Sequence, residues 1–190
     1  MIGPGFADPV LGAQAAFRAL LEATAYPGRV RRIAPQPGWP AALPPAMAAL
    51  ALTLCDQDTP LWQDAGPEVA RWLAFHTGAP PARAEEAAFL LCIGAPPPLA
   101  ALRLGSDEAP QDGATLLLAV ASLQEGQGRL TLEGPGIAGA ARLEVGGLPP
   151  RLLAERAALA PLFPRGLDLV LCAGESIVAL PRSIRITEAP

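Results

Sequence analysis

The sequence predicts an α/β protein built on a mixed β-sheet with helices packed on both faces. Two observations carry this. Segments with apolar residues at helical spacing alternate with short apolar runs of strand length. Several of those runs are joined by turns too short for the crossover that a parallel pair requires, so a purely parallel sheet is excluded. A hydrophobic content of 51% against 17% charged residues supplies a real core, and residues 1–190 are expected to form a single domain.

Each element has a local reason. Asp8-Pro9 reads as an N-cap followed by proline at the first helical position. Val10, Ala13, Phe17, Leu20, Leu21 and Thr24 then recur at helical spacing to about Ala25, where Tyr26-Pro27-Gly28 stops the helix. Val30 to Ile33 alternates as a short strand. Ala34 to Pro45 is a proline-rich connection, and Ala46 to Cys55 is apolar almost all round, as a buried helix is. Asp56 to Pro60 is a turn and Leu61-Trp62 a strand start. Gly66-Pro67 opens a helix through Val69, Trp72, Leu73 and His76, closed by Gly78.

Ala88 to Ile93 is a continuous apolar strand, and Leu99 to Leu104 a short helix. Ala114 to Leu123 is the strongest strand. With a turn at Gln124 to Gly128 and a return over Arg129 to Leu132, it predicts a hairpin. Ala141 to Val145 adds a strand, and Pro149-Pro150 start a helix to about Ala160. Leu167 to Cys172 and Ile177 to Leu180 flank the turn Ala173-Gly174-Glu175, and Arg182 to Ile186 alternates as an edge strand.

Composition excludes more than it proposes. The formal net charge of −4 gives no general attraction to nucleic acid or to an anionic membrane. The longest uncharged stretch, Ala34 to Cys55, is broken by five prolines and cannot span a bilayer. The first ten residues lack the basic start of a secretory signal, so a cytoplasmic location is expected. All 14 basic residues are arginine. Without a lysine there is no pyridoxal phosphate Schiff base and no P-loop of the usual kind. One histidine, His76, rules out multi-histidine metal centres. Cys55, Cys92 and Cys172 sit far apart in apolar runs and read as buried thiols. No metal and no cofactor is expected.

Few side chains are placed for chemistry. Asp56 and Asp58 could divide acid and base roles or hold a divalent cation; the simpler reading is a turn in which Asp56 satisfies backbone donors. His76, late in a helix, is a lone base or phosphate contact, or more simply a cap on the helix carbonyls. Glu133-Gly134-Pro135-Gly136-Ile137 is a weak phosphate-loop signal beside a tight-turn reading, because Pro135 removes a donor. Asp168 at the mouth of one strand and Arg182 just past the next would lie at one sheet edge if those strands pair, as an anion or interface site or as a structural ion pair.

The ordered set of segments resembles the PhnH family, the H subunit of the bacterial carbon–phosphorus lyase system. The likeness begins at Phe17-Arg18, Leu20-Leu21 and Pro27-Gly28, and continues through Asp56, Asp58-Thr59-Pro60 and Trp62. It runs on through Phe75-His76-Thr77, Gly113-Ala114-Thr115-Leu116, Ala121-Ser122-Leu123 and Gly136-Ile137, and ends with Phe163-Pro164, Gly166, Asp168-Leu169 and Pro181-Arg182. It covers nearly the whole chain. Arg165 departs from it, standing where the family has an apolar residue, and Ser183-Ile184 stands where two threonines are common.

The resemblance implies a fold like that of pyridoxal-phosphate-dependent transferases without the cofactor. It implies a homodimer when isolated and a place beside the G, I and J subunits in the core complex. In that system the G, H, I and L proteins displace adenine from ATP with methylphosphonate, giving ribose 1-methylphosphonate 5-triphosphate. Arg18, Asp56, Asp58, His76, Asp168 and Arg182 are then candidates for ligand or interface contacts, and no residue is assigned a catalytic role. The function expected is a supporting subunit. An independent nucleotide- or phosphonate-binding transferase and a purely structural dimeric scaffold are the alternatives.

Overall fold

The computed structural model describes residues 2–188. Helix α1, Pro9–Ala25, is capped as its sequence dictates: Asp8 Oδ1 accepts from the amides of Val10 and Leu11, each at 3.0 Å. Its fully buried residues are Ala16 and Ala23, two small side chains seven apart that let the helix lie close to its neighbours. Helix α2, Pro45–Leu54, is buried continuously from Ala46 to Ala51, which explains its lack of a polar face. Helix α3, Pro67–Thr77, buries Val69, Trp72 and Leu73 and ends at Gly78, whose φ of +70° is the left-handed conformation that glycine adopts without strain.

The main sheet has six strands in the order β1-β8-β7-β4-β3-β2. These are β1 (Arg31–Arg32), β2 (Leu61–Gln63), β3 (Phe89–Cys92), β4 (Thr115–Ala119), β7 (Asp168–Ala173) and β8 (Ser176–Leu180). Strands β2, β3, β4 and β7 run parallel; β8 is antiparallel to β7, and β1 to β8. A smaller antiparallel sheet has the order β6-β5-β9, with β5 at Ser122–Glu133, β6 at Ala141–Gly146 and β9 at Arg185–Glu188.

Strand alternation sorts the core into two layers. Leu91, Leu117, Val170, Cys172, Ile177 and Ala179 point toward α1, α2 and α3. Leu90, Leu116, Leu118, Leu169, Leu171, Val178 and Leu180 point the other way. They meet Leu130, Leu132 and Leu143 of the small sheet, and Leu152 and Leu159 of α4, Leu152–Leu159. Burying each such leucine contributes roughly 1.5–3 kcal/mol.

Five expectations are corrected. The hairpin predicted from Ala114 to Leu132 does not form: β4 ends at Ala119, and β5 belongs to the other sheet. The switch takes one residue. The Val120 amide still donates to Cys172 O in the main sheet at 2.9 Å, while the Ala121 amide donates to Gly146 O beside the small sheet at 2.7 Å. The supposed turn at Gln124 to Gly128 is an irregularity within β5, where Glu125 and Leu130 both face Leu143. Gly126 and Gly128, at φ +81° and +103°, absorb the extra residues. Finally, Leu99 to Leu104 is only a 3-10 turn over Leu99–Ala101, the helix after Pro149-Pro150 starts at Leu152, and the last strand is Arg185–Glu188 rather than Arg182 to Ile186.

Candidate functional site

Strands β7 and β8 pair in the register Leu169 to Leu180, which brings Asp168 and Arg182 together. Asp168 Oδ1 accepts from the Arg182 amide at 2.7 Å, and Asp168 Oδ2 from Arg182 Nη2 at 2.8 Å. Arg182 Nε lies 3.3 Å from both oxygens, and Arg182 Nη1 donates to the Pro110 carbonyl. The guanidinium is therefore fixed on two sides. Gly113 makes room for it: a Cβ there would fall 2.8 Å from Arg182 Nη1 and 2.1 Å from Gly166 O.

Beside this pair lies an open cavity of about 300 Å³ between α4 with its 3-10 extension, Ala160–Leu162, and the chain from Arg182 to Ile186. Four arginines line it, Arg156, Arg165, Arg182 and Arg185, and among the described residues no carboxylate does. Its apolar side includes Leu153, Leu159, Phe163 and Ile184. Arg156 reaches inward because it shares the buried stripe of α4 with Leu152 and Leu159, at spacings of four and three residues. It donates to the Pro181 carbonyl. Burial pushes its pKa down to about 10, with Asp168 opposing that shift and Arg182 adding to it. Arg165 Nε lies 3.1 Å from Asp107 Oδ1 but off the line a hydrogen bond needs, so this buried N–H has no acceptor among the described residues.

The other candidates lie elsewhere. Asp56 Oδ1 accepts from the Asp58 amide at 3.0 Å and from Thr59 Oγ1 at 2.5 Å. The Thr59 hydroxyl, then the Asp58 amide, hold its carboxyl below the usual carboxylate range. Asp58 is exposed beside it. Among the described residues no third acidic, histidine or cysteine side chain joins them as a metal site would require. His76 lies in the last turn of α3, but its Nε2 sits 2.8 Å from the Gly3 carbonyl; since a carbonyl only accepts, Nε2 carries the proton. Trp72 and Trp39 donate in the same way to Pro4 O and Gly5 O, so three ring nitrogens tie the N-terminal segment down. Arg18 is exposed on α1. The structure thus joins Asp168 to Arg182 and leaves Arg18, Asp56, Asp58 and His76 apart from them.

The glycine-rich turn after β5 is filled by protein. A Cβ on Gly136, at φ +82°, would stand 2.2 Å from the Ala25 carbonyl oxygen at the end of α1. Gly136→Ala is expected to cost about 2 kcal/mol or more, because strain and backbone collision add. A denaturation midpoint unchanged from the parent would contradict that packing. The three thiols are sealed: burial pushes Cys55 and Cys92 up to about 12 and Cys172 higher still.

Sequence reasoning missed Arg156 and Arg185. The available signal for Arg156 was its place on the apolar face of its helix, where a lone charge needs a partner.

Comparison with known proteins agrees along the whole chain. The family model described as "Bacterial phosphonate metabolism protein (PhnH)" matches residues 4–187. The chain is 40% identical over 187 residues to the alpha-D-ribose 1-methylphosphonate 5-triphosphate synthase subunit PhnH of Rhizobium meliloti (strain 1021), covering 95% of this chain and 93% of that one. It is 36% identical over 173 residues to HtxG of Stutzerimonas stutzeri, a proposed C-P lyase subunit protein, covering 91% and 85%. With segments from Phe17-Arg18 to Pro181-Arg182 in family order and a match spanning nearly every residue, the chain belongs to the PhnH family of bacterial phosphonate metabolism proteins.

Proposed function

We propose that the chain is a supporting, non-catalytic subunit of the synthase that forms ribose 1-methylphosphonate 5-triphosphate from ATP and methylphosphonate in the carbon–phosphorus lyase system. The observation that carries this is the 40% identity over 95% of the chain to a subunit of that synthase. The side chains of chemically reactive type support it, because they are spent on structure. The cysteines are buried, His76 is engaged by Gly3 and Asp56 by its own turn.

In this reading residues 1–190 act as one unit in the cytoplasm, with a fold like a pyridoxal-phosphate transferase that no longer has a lysine for the cofactor. No helix among the described residues is long and apolar enough to cross a membrane. The unit dimerises when isolated and docks with the G, I and J subunits in the core complex. One face of α1 supports a partner. Val10, Phe17 and Leu21, at helical spacings of seven and four, are 75%, 51% and 58% exposed, with Arg18 beside them.

Reconstitution tests the proposal. A mixture of the G, I and L proteins with ATP and methylphosphonate is expected to release adenine only when this chain is added. Full activity without it, or turnover by this chain alone, would remove the supporting role.

A further inference from the structure

We infer that the arginine-lined cavity between α4 and the segment after β8 binds a small organic phosphorus oxyanion, its charged head among the guanidiniums and its carbon portion against Phe163 and Ile184. The cavity carries unbalanced positive charge. Arg156 is largely buried, and among the described residues its one hydrogen-bond acceptor is a neutral carbonyl, that of Pro181. A buried guanidinium without an anion is costly, and desolvation depresses its pKa accordingly. The nearby carboxylate, Asp168, is already claimed by Arg182.

Arg165 is ion-paired with Asp107 at 3.1 Å, but its buried Nε–H has no acceptor among the described residues and offers an oxyanion a donor. Arg185, at the rim, lies 4.0 Å from Glu133, with its side chain 78% exposed. An oxyanion in the cavity would meet Arg156 directly, while Arg182, held by Asp168 and Pro110, supplies a fixed positive wall that needs no reorganisation.

The volume of about 300 Å³ is at the low end of small-molecule sites, which run from about 300 to 1,000 Å³, so the ligand is compact. The apolar side of the cavity favours a carbon substituent over a bare inorganic ion. Two sources share this chemistry, an alkylphosphonate and a sugar phosphate. The choice of phosphorus rests on the subunit reading above; the demand for an anion does not.

Phosphorus NMR on the purified chain tests the site with methylphosphonate, ribose 5-phosphate and inorganic phosphate in separate titrations. Saturable binding with a Kd of about 1 mM or tighter is expected for at least one organic ligand. Arg156→Gln should weaken it at least ~10-fold and the surface variant Arg185→Gln about 3-fold, the latter with unchanged melting. The tighter organic ligand identifies the source.

Inorganic phosphate binding as tightly as both would overturn the assignment of the apolar wall. Absence of saturable binding by a chain that still assembles with the G, I and J proteins would overturn the site and leave the subunit reading standing. Binding unchanged in the Arg156→Gln, Arg185→Gln double variant would place it elsewhere. Loss of assembly in that variant, with no ligand binding by the parent, would mean that an acidic group of a partner subunit fills the cavity.

Discussion

Asp168→Ala is expected to lower the melting temperature by about 5–10 °C. Asp168 accepts from the main-chain amide of Arg182 at 2.7 Å and from its guanidinium at 2.8 Å, so its removal leaves the amide without this acceptor and the guanidinium with the neutral Pro110 carbonyl in place of a counter-charge. The Arg182 side chain is only 16% exposed and shares its surroundings with Arg156, so the abandoned charge is repelled as well as desolvated. Breaking a fully buried pair costs about 3–5 kcal/mol; with the Asp168 side chain 37% exposed, water offsets part of that, leaving about 2–3 kcal/mol. A domain of this size loses about 2–4 °C per kcal/mol. Asp168→Asn, which keeps one acceptor but no charge, should fall between. Arg182→Met made on the Asp168→Ala background should cost less than the same change in the parent. Strict additivity in that cycle would show that the pair does not couple.

Leu116→Ala should cost about 3–5 kcal/mol. Leu116 is 0% exposed at the second position of β4, where its cross-strand neighbours are Leu90 and Leu169 on the same face. That face also meets the small sheet and α4. A residue on an interior strand, hydrogen-bonded on both sides, has little freedom to collapse into the space left behind, so the transfer loss and the cavity term both apply. The volume-conserving Leu116→Met should cost less than about 1.5 kcal/mol. Urea titration separates the two variants by their midpoints at constant slope. A loss below about 1 kcal/mol for Leu116→Ala would mean that the layer between the sheets is loosely packed.

These experiments probe parts of the molecule that were unequally legible. The Asp168–Arg182 pair could be anticipated because Ala173-Gly174-Glu175 is a tight turn between two apolar runs, and a short turn fixes which residues face each other. Arg156 could not be joined to them in the same way. It is 26 residues before Arg182, on a helix whose position is set by packing on the sheet face. Arg165 stood out only as a departure from the family pattern; its buried N–H depends on where Asp107 comes to rest.

His76 shows the same limit. Its place in the last turn of α3 follows from Gly78, but the Gly3 carbonyl that engages it lies 73 residues away.

By itself the sequence determined α1, α2 and α3 and most of the strands, where α1 and α3 start and stop, and that the thiols are buried. Those properties follow from caps, glycines and the 3.6- and 2-residue periods, all read within a few neighbours along the chain. Only the tertiary structure decided that the chain leaves one sheet for another at Ala121, and that four arginines converge on one cavity. The apolar run Ala114 to Leu123, which crosses from β4 into β5, reads as a single strand because apolar residues specify burial and not a pairing partner. Likewise, a lone arginine specifies a charge and not its counter-charge. Pairing between distant segments is settled when the layers pack.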